Sequence, residues 1–195
     1  LSGDPDIDTV ISHLNIRICR ELQKKYDAIE YTAPDSLVDT MYDIFLEEEK
    51  SFIILIDEWD SIFRERKGDI KAQKKYLDFL RSWMKDKPFI GLAYMTGILP
   101  IKKYGTHSAL NMFDEYSMTD PRELAEFVGF TRDEVESLCD KYGMDYEETK
   151  YWYDGYTFPD VEEIYSPKSL VSAMIAHRYS DYWNQTETFE ALSIY

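Results

Sequence analysis

An acidic pair, Asp57-Glu58, follows directly on the apolar run Phe52-Ile53-Ile54-Leu55-Ile56, and another acid, Asp60, stands just beyond it. Carboxylates at the end of a buried strand can hold a hard cation such as Mg²⁺ and can orient and deprotonate a water molecule. The plainer use of the same residues is to end a strand and open a helix, whose N-terminus favours acids. Five apolar residues in a row, without alternation, predict a strand covered on both faces, as in a parallel α/β sheet. Ligands of such sheets sit at the carboxyl ends of the strands, where Asp57 and Glu58 fall.

The elements that must position this pair read clearly on either side of it. A helix over 4–26 is signalled by Asp4-Pro5 and carries Ile7, Val10, Ile11, Leu14, Ile18 and Leu22 on one face. Pro34 opens a second helix with Leu37, Val38, Met41, Ile44 and Phe45 on its apolar side and three glutamates at its tail. After the strand, 59–67 reads as a short turn of helix and a charged loop broken at Gly68; Asp60 is expected to cap that helix. Ile70, Leu77, Leu80, Trp83 and Met84 mark another amphipathic helix, and 89–95 is a second apolar strand stopped by Thr96-Gly97. Helix, strand, helix, strand in that order predicts parallel βαβ units joined by a right-handed crossover. The stretch 97–108 is irregular, and 112–118 alternates enough to suggest one more short strand.

From Thr119 the pattern becomes helical and aromatic. Thr119-Asp120-Pro121 starts a short helix ended by Gly129; Thr131 and Glu134 form a capping box for a helix stopping at Gly143. A helical pattern over 145–153 is closed by Gly155, expected to be a left-handed cap. A tight turn over 158–164 and a helix opened by Ser166-Pro167 complete the pattern. The organisation expected is an α/β core over 1–118 and a small helical subdomain over 119–195.

Composition narrows the function classes. With 44% hydrophobic and 15% aromatic residues, the 195-residue chain can build a sizeable core. Its net charge of -16 repels nucleic acid, and no basic run with interleaved aromatics offsets it, so nucleic acid is not an expected partner. Two cysteines, Cys19 and Cys139, do not make a disulfide framework, and a cytoplasmic location is expected. His13, His107 and His177 lack metal-ligand spacing. No segment approaches the length of a membrane span, and none is expected.

Six ordered stretches carry a resemblance: FIILIDEWDSIF, AYMTGILPIKKYG, SALNMFDEYSMT, GFTRDEVESLC, YWYDGYTF, and IYSPKSLVSAM followed by DYW. From about Pro34 onward they resemble the AAA-ATPase-like family of bacterial and archaeal proteins, a branch of the P-loop NTPases. Many members place a restriction-endonuclease-like nuclease domain after this part. The resemblance implies a partial AAA-like P-loop core with a helical lid. It implies Asp57 as the Walker B acid associated with Mg²⁺ and Glu58 as the catalytic base. Thr96 would be the sensor-1 residue, bonding the γ-phosphate of ATP or the attacking water.

One departure is large. No G-x-x-x-x-G-K-[ST] occurs among the eight glycines, so the loop that cradles the β- and γ-phosphates is missing. In the family that loop lies upstream, and this chain starts where it should already have ended. Leu1 is not an initiator methionine, so a fragment, processed form or trimmed chain is expected. The isolated chain is expected to bind ATP poorly and not to hydrolyse it. Absence of the P-loop strand would leave the 89–95 strand with a bare edge, through which copies could associate. The alternative reading is a non-catalytic interaction or regulatory module that kept an ATPase fold. Among other features, Arg122, Arg132 and Arg178 are candidate sensor or finger arginines, and Lys102 and Lys103 could line a phosphate surface. The 151–158 aromatics are read as packing more than as a base-stacking site. Glu65-Arg66-Lys67 matches the tail of a nuclease pattern but lies outside a buried strand.

Overall fold

The structure, a computed structural model, describes residues 6–100 and 111–185. Its contacts divide the chain into two compact units, Leu1–Asp114 and Glu115–Tyr195. The division falls four residues ahead of the boundary read from the sequence at residue 118.

The first unit is built from α1 (Ile7–Lys25), α2 (Leu37–Glu48), β1 (Phe52–Ile56), α3 (Ser61–Glu65), α4 (Ile70–Met84) and β2 (Ile90–Met95). Each long helix starts where a side-chain oxygen accepts an otherwise unpaired amide. Asp6 takes the Thr9 amide, Ser36 takes that of Asp39, and Asp69 takes that of Ala72. The helix expected from Asp4-Pro5 is thus capped by Asp6, and Asp4 and Pro5 lie outside the described residues. Likewise α2 begins after Ser36, two residues beyond Pro34, because proline sets the chain direction but has no hydroxyl to cap with. Leu37, Met41, Trp59, Phe63, Leu77, Leu80, Trp83 and Phe89 form the centre of one core.

β1 and β2 are parallel, as the helix–strand order predicts, with Ile54 opposite Ala93, Leu55 opposite Tyr94 and Ile56 opposite Met95. The mixed helix and strand composition makes this an α/β fold. The expectation of a strand covered on both faces is corrected. Phe52, Ile54 and Ile56 of β1 pack on the core with Ile90, Ala93 and Met95 of β2. Ile53 and Leu55, at 67% and 73% exposure, and Leu92 and Tyr94, at 53% and 49%, form an open apolar face. A continuous apolar run encodes two apolar faces, and among the described residues only one of them is packed.

The second unit contains a 3₁₀ turn (Arg122–Phe127), α5 (Arg132–Tyr142), α6 (Tyr146–Tyr153), β3 (Asp154–Tyr156), β4 (Ile164–Tyr165), α7 (Pro167–Ala176) and a second 3₁₀ turn (Tyr182–Gln185). The capping box holds, the Thr131 amide donating to Glu134 Oε2 over 2.8 Å, and Gly143 ends α5 at φ 64°. Gly155 is no left-handed cap. α6 runs straight into β3, which pairs antiparallel with β4, a hairpin absent from the sequence reading. The strand expected over 112–118 does not form; Ser117 and Asp120 make only an isolated bridge. Val135, Cys139, Tyr153, Tyr165, Leu170, Ala173 and Met174 make the core of this unit. Trp152 and Tyr153 pack at tilted or edge-on angles among Tyr179, Tyr182 and Trp183, whereas Tyr151 of the same stretch is 85% exposed.

Glu163 knots this unit together at a left-handed φ of 57°. It accepts from Lys150 and from the Tyr146 hydroxyl at 2.7 Å, with Tyr165 OH at 3.3 Å and Arg132 Nε at 3.9 Å. Lys150 first, then Tyr146, holds its carboxyl below the usual glutamate range, while burial pushes the Tyr165 phenol well up. A lowered folded-state value means the stabilisation is complete above the unfolded value and is lost as pH falls through the folded one.

Two outcomes follow from this packing. In denaturant unfolding, Leu80→Ala should cost about 2–5 kcal/mol, because the side chain is 1% exposed. Leu55→Ala, on the open face, should cost about 0.5 kcal/mol or less. For Glu163→Gln, the stability deficit should be largest near neutral pH. It should shrink as pH is lowered through the ordinary carboxyl value of 4.5 and below, as read by pH-dependent melts.

Candidate functional site

The parallel register is what brings the candidate residues together. Because Ile56 faces Met95, the next residues on each chain, Asp57 and Thr96, leave the sheet side by side. The ladder continues past the strands: the Thr96 amide donates to the Ile56 carbonyl and the Trp59 amide to the Thr96 carbonyl, each at 2.9 Å. The Thr96 hydroxyl donates to Asp57 Oδ1. The Glu58 amide points at both, 3.1 Å from Asp57 Oδ1 and 3.4 Å from Thr96 Oγ1. All three residues are exposed, so the oxygens face solvent and are not sealed beneath side chains.

Glu58 is held in an uncommon backbone conformation, φ 52°, which a residue with a side chain adopts at a cost of order 1 kcal/mol. The kink lies in the four-residue turn from β1 to α3. The Glu58 carboxylate, 65% exposed, lies 3.1 Å from Arg64 Nη2. Arg64 is also 3.5 Å from Asp60 through Nε, although neither nitrogen is aligned for a hydrogen bond. These are ionic contacts, and the guanidinium sits between an exposed acid and a buried one.

Asp60 does not cap α3 with its side chain, contrary to the expectation. It is fully buried, and Oδ2 accepts the backbone amides of Ile98 and Leu99 at 3.1 and 2.8 Å. The Tyr76 phenol nearby is pushed up to about 12, by burial first and by the Asp60 charge second. Sequence reasoning missed Arg64 and assigned Asp60 a local role. The spacing of four between them was a usable signal, since residues i and i+4 share a helix face.

Asp57 and Thr96 offer oxygen donors of the kind Mg²⁺ takes, a carboxylate and a hydroxyl, open to the solvent from which the ion draws its remaining ligands. No cluster of three or more His, Cys, Asp or Glu residues suited to a metal occurs among the described residues. A phosphate chain has no such match: the chain lacks the glycine-rich loop whose amides would cradle it.

Comparison with known proteins decides the family. The model of a family described as predicted AAA-ATPases, AAA-ATPase-like, matches residues 4–107, just over half of the chain. The chain belongs to this family. The match takes in the β1–β2 unit with Asp57, Glu58 and Thr96. An uncharacterised protein in the vnfD 5' region of Azotobacter chroococcum mcd 1 is 28% identical over 142 residues. That alignment covers 70% of this chain and 27% of the relative, so the chain spans about a quarter of the relative's length. No solved structure matches.

Arg122 lies over the Tyr116 ring at 4.1 Å and donates to the Glu115 carbonyl, and Arg132 pairs with Glu136 at 2.8 Å. These two and Arg178 belong to the second unit, whereas Asp57 belongs to the first. Lys102, Lys103 and His107 lie outside the described residues. Glu65 ends α3 and so lies on a helix and not on a strand, as read, and no helix among the described residues is long and apolar enough to cross a membrane.

Proposed function

We propose that this chain is the Walker B portion of a longer ATP-binding AAA-ATPase-like protein, with a partial P-loop NTPase core and a small helical lid. The observation that carries the reading is the meeting of the Asp57 carboxylate and the Thr96 hydroxyl at the tips of two parallel strands. The family match over this region supports it, as does the greater length of the Azotobacter relative. In this reading Asp57 would hold Mg²⁺, which would neutralise charge on the β- and γ-phosphates. Glu58, next along the chain, orients and deprotonates the attacking water, and Thr96 fixes that water or the γ-phosphate. Arg64 holds the Glu58 carboxylate at the mouth of the site until substrate arrives. The phosphate cradle comes from a P-loop outside this sequence.

In the full-length protein, Glu58→Gln should lower ATP turnover by about 10²-fold while nucleotide binding survives. Equal turnover of variant and parent would remove Glu58 as the base. The 195-residue chain itself should show no tight Mg²⁺-dependent ATP binding by calorimetry, because its sequence has no G-x-x-x-x-G-K-[ST] to cradle the phosphates.

The second reading is an interaction module that kept the fold, and the open face of Ile53, Leu55, Leu92 and Tyr94 favours it. β2 pairs only with β1 among the described residues, leaving an edge that can add a strand from a second copy. Light scattering should then show concentration-dependent dimers, reduced by a charge at the edge such as Tyr94→Lys. A monodisperse monomer at all concentrations would remove this reading.

A further inference from the structure

Six backbone and side-chain hydrogen bonds tie the two strand exits to each other, and the two deepest are made by Asp60. Its carboxylate has no exposed surface, and burying a charge of that kind carries a penalty that a fold tolerates only for a return. The return is not a helix cap, since the side chain makes no capping hydrogen bond to α3. Oδ2 instead gathers the amides of Ile98 and Leu99, the third and fourth residues beyond the end of β2. Oδ1 has no hydrogen-bond partner and faces Gly97.

Gly97 explains how the approach is possible. A Cβ there would stand 2.6 Å from Trp59 Cδ1 and Nε1 and 2.8 Å from Asp60 Oδ1. The turn after β2 is therefore pressed against Trp59 and Asp60, and any side chain would force it away. Trp59, 3% exposed, fills the space behind the turn, and its amide takes the Thr96 carbonyl. Thr96 sits between two fixed points, the ladder bond to Ile56 before it and the Asp60 bonds just after it. Arg64 supplies the positive charge that makes the buried carboxylate tolerable.

We propose that Asp60 is a positioning residue: by fastening the Ile98 and Leu99 amides it sets the turn after β2 and keeps the Thr96 hydroxyl on Asp57. This goes deeper into the proposed site and rests on that reading only for its catalytic consequence. The geometric part stands by itself, because it concerns which way one threonine faces.

The test has one arm for each part. In the 195-residue chain, Asp60→Ala and Gly97→Ala are made, and folding is followed by circular dichroism and denaturant midpoint. Scalar couplings report the Thr96 rotamer, and amide exchange reports Ile98 and Leu99. Wild type should show one Thr96 rotamer and slow exchange at both amides. A folded variant should show an averaged rotamer and exchange faster by about tenfold or more. Gly97→Ala disturbs the same contact without touching the buried charge, so it decides the matter if Asp60→Ala fails to fold. An unchanged rotamer and unchanged exchange in a folded variant overturn the proposal. In the full-length protein, Asp60→Ala should lower kcat by about tenfold with KM for ATP little changed, and should cost nothing further in a Thr96→Val background. Independent, multiplying losses overturn the positioning role. Absence of ATP turnover in wild type sinks the proposed function and leaves the rotamer and exchange results to decide the geometry.

Discussion

The pairing of β1 with β2 is the constraint on which the site depends. Parallel strands in register deliver their next residues to the same place, so a carboxylate from one and a hydroxyl from the other meet where the strands end. The register is set by packing. One face of each strand buries Phe52, Ile54 and Ile56 or Ile90, Ala93 and Met95 against the helices, and a slip by one residue would turn that set outward. Asp57 and Thr96 inherit their positions from this alternation.

Around that pairing the chain keeps its polar atoms short and its bulk behind them. Trp59 and Phe63 meet at 5.4 Å with their rings tilted by 59° and join the core formed by α2 and α4. Asp60 reaches the opposite direction from the exposed acids beside it, inward to two backbone amides. Three acids within four residues thus have three environments: Asp57 on a hydroxyl in solvent, Glu58 on a guanidinium, and Asp60 inside on amides. Arg64 lies between the last two, which lowers the cost of placing negative charges so close together.

The second unit is organised on a different principle. Its core is small and aromatic, and a charged knot at Glu163 links α5, α6 and β4 through Arg132, Lys150, Tyr146 and Tyr165. Short elements bury little area each, and a satisfied polar network adds the geometric definition that area alone does not provide. The left-handed backbone at Glu163 is the strain that this network holds in place.

By itself the sequence determined the elements whose signals are local. Helix periodicity located α1, α2 and α4, the capping box and Ser166-Pro167 located α5 and α7, and the two apolar runs ending in Asp57-Glu58 and Thr96-Gly97 located the strands and the acidic pair, whereas Thr96 was singled out by the family resemblance. The family motifs were legible for the same reason, since they lie in contiguous stretches. Tertiary structure alone decided that one face of the sheet is open, because an apolar run looks the same whether one side or both are covered. It alone placed Arg64 against Glu58 and turned Asp60 onto Ile98 and Leu99. It also closed the β3–β4 hairpin at the end of α6. Those contacts join residues up to 39 positions apart, and such a distance leaves no periodic trace in the chain.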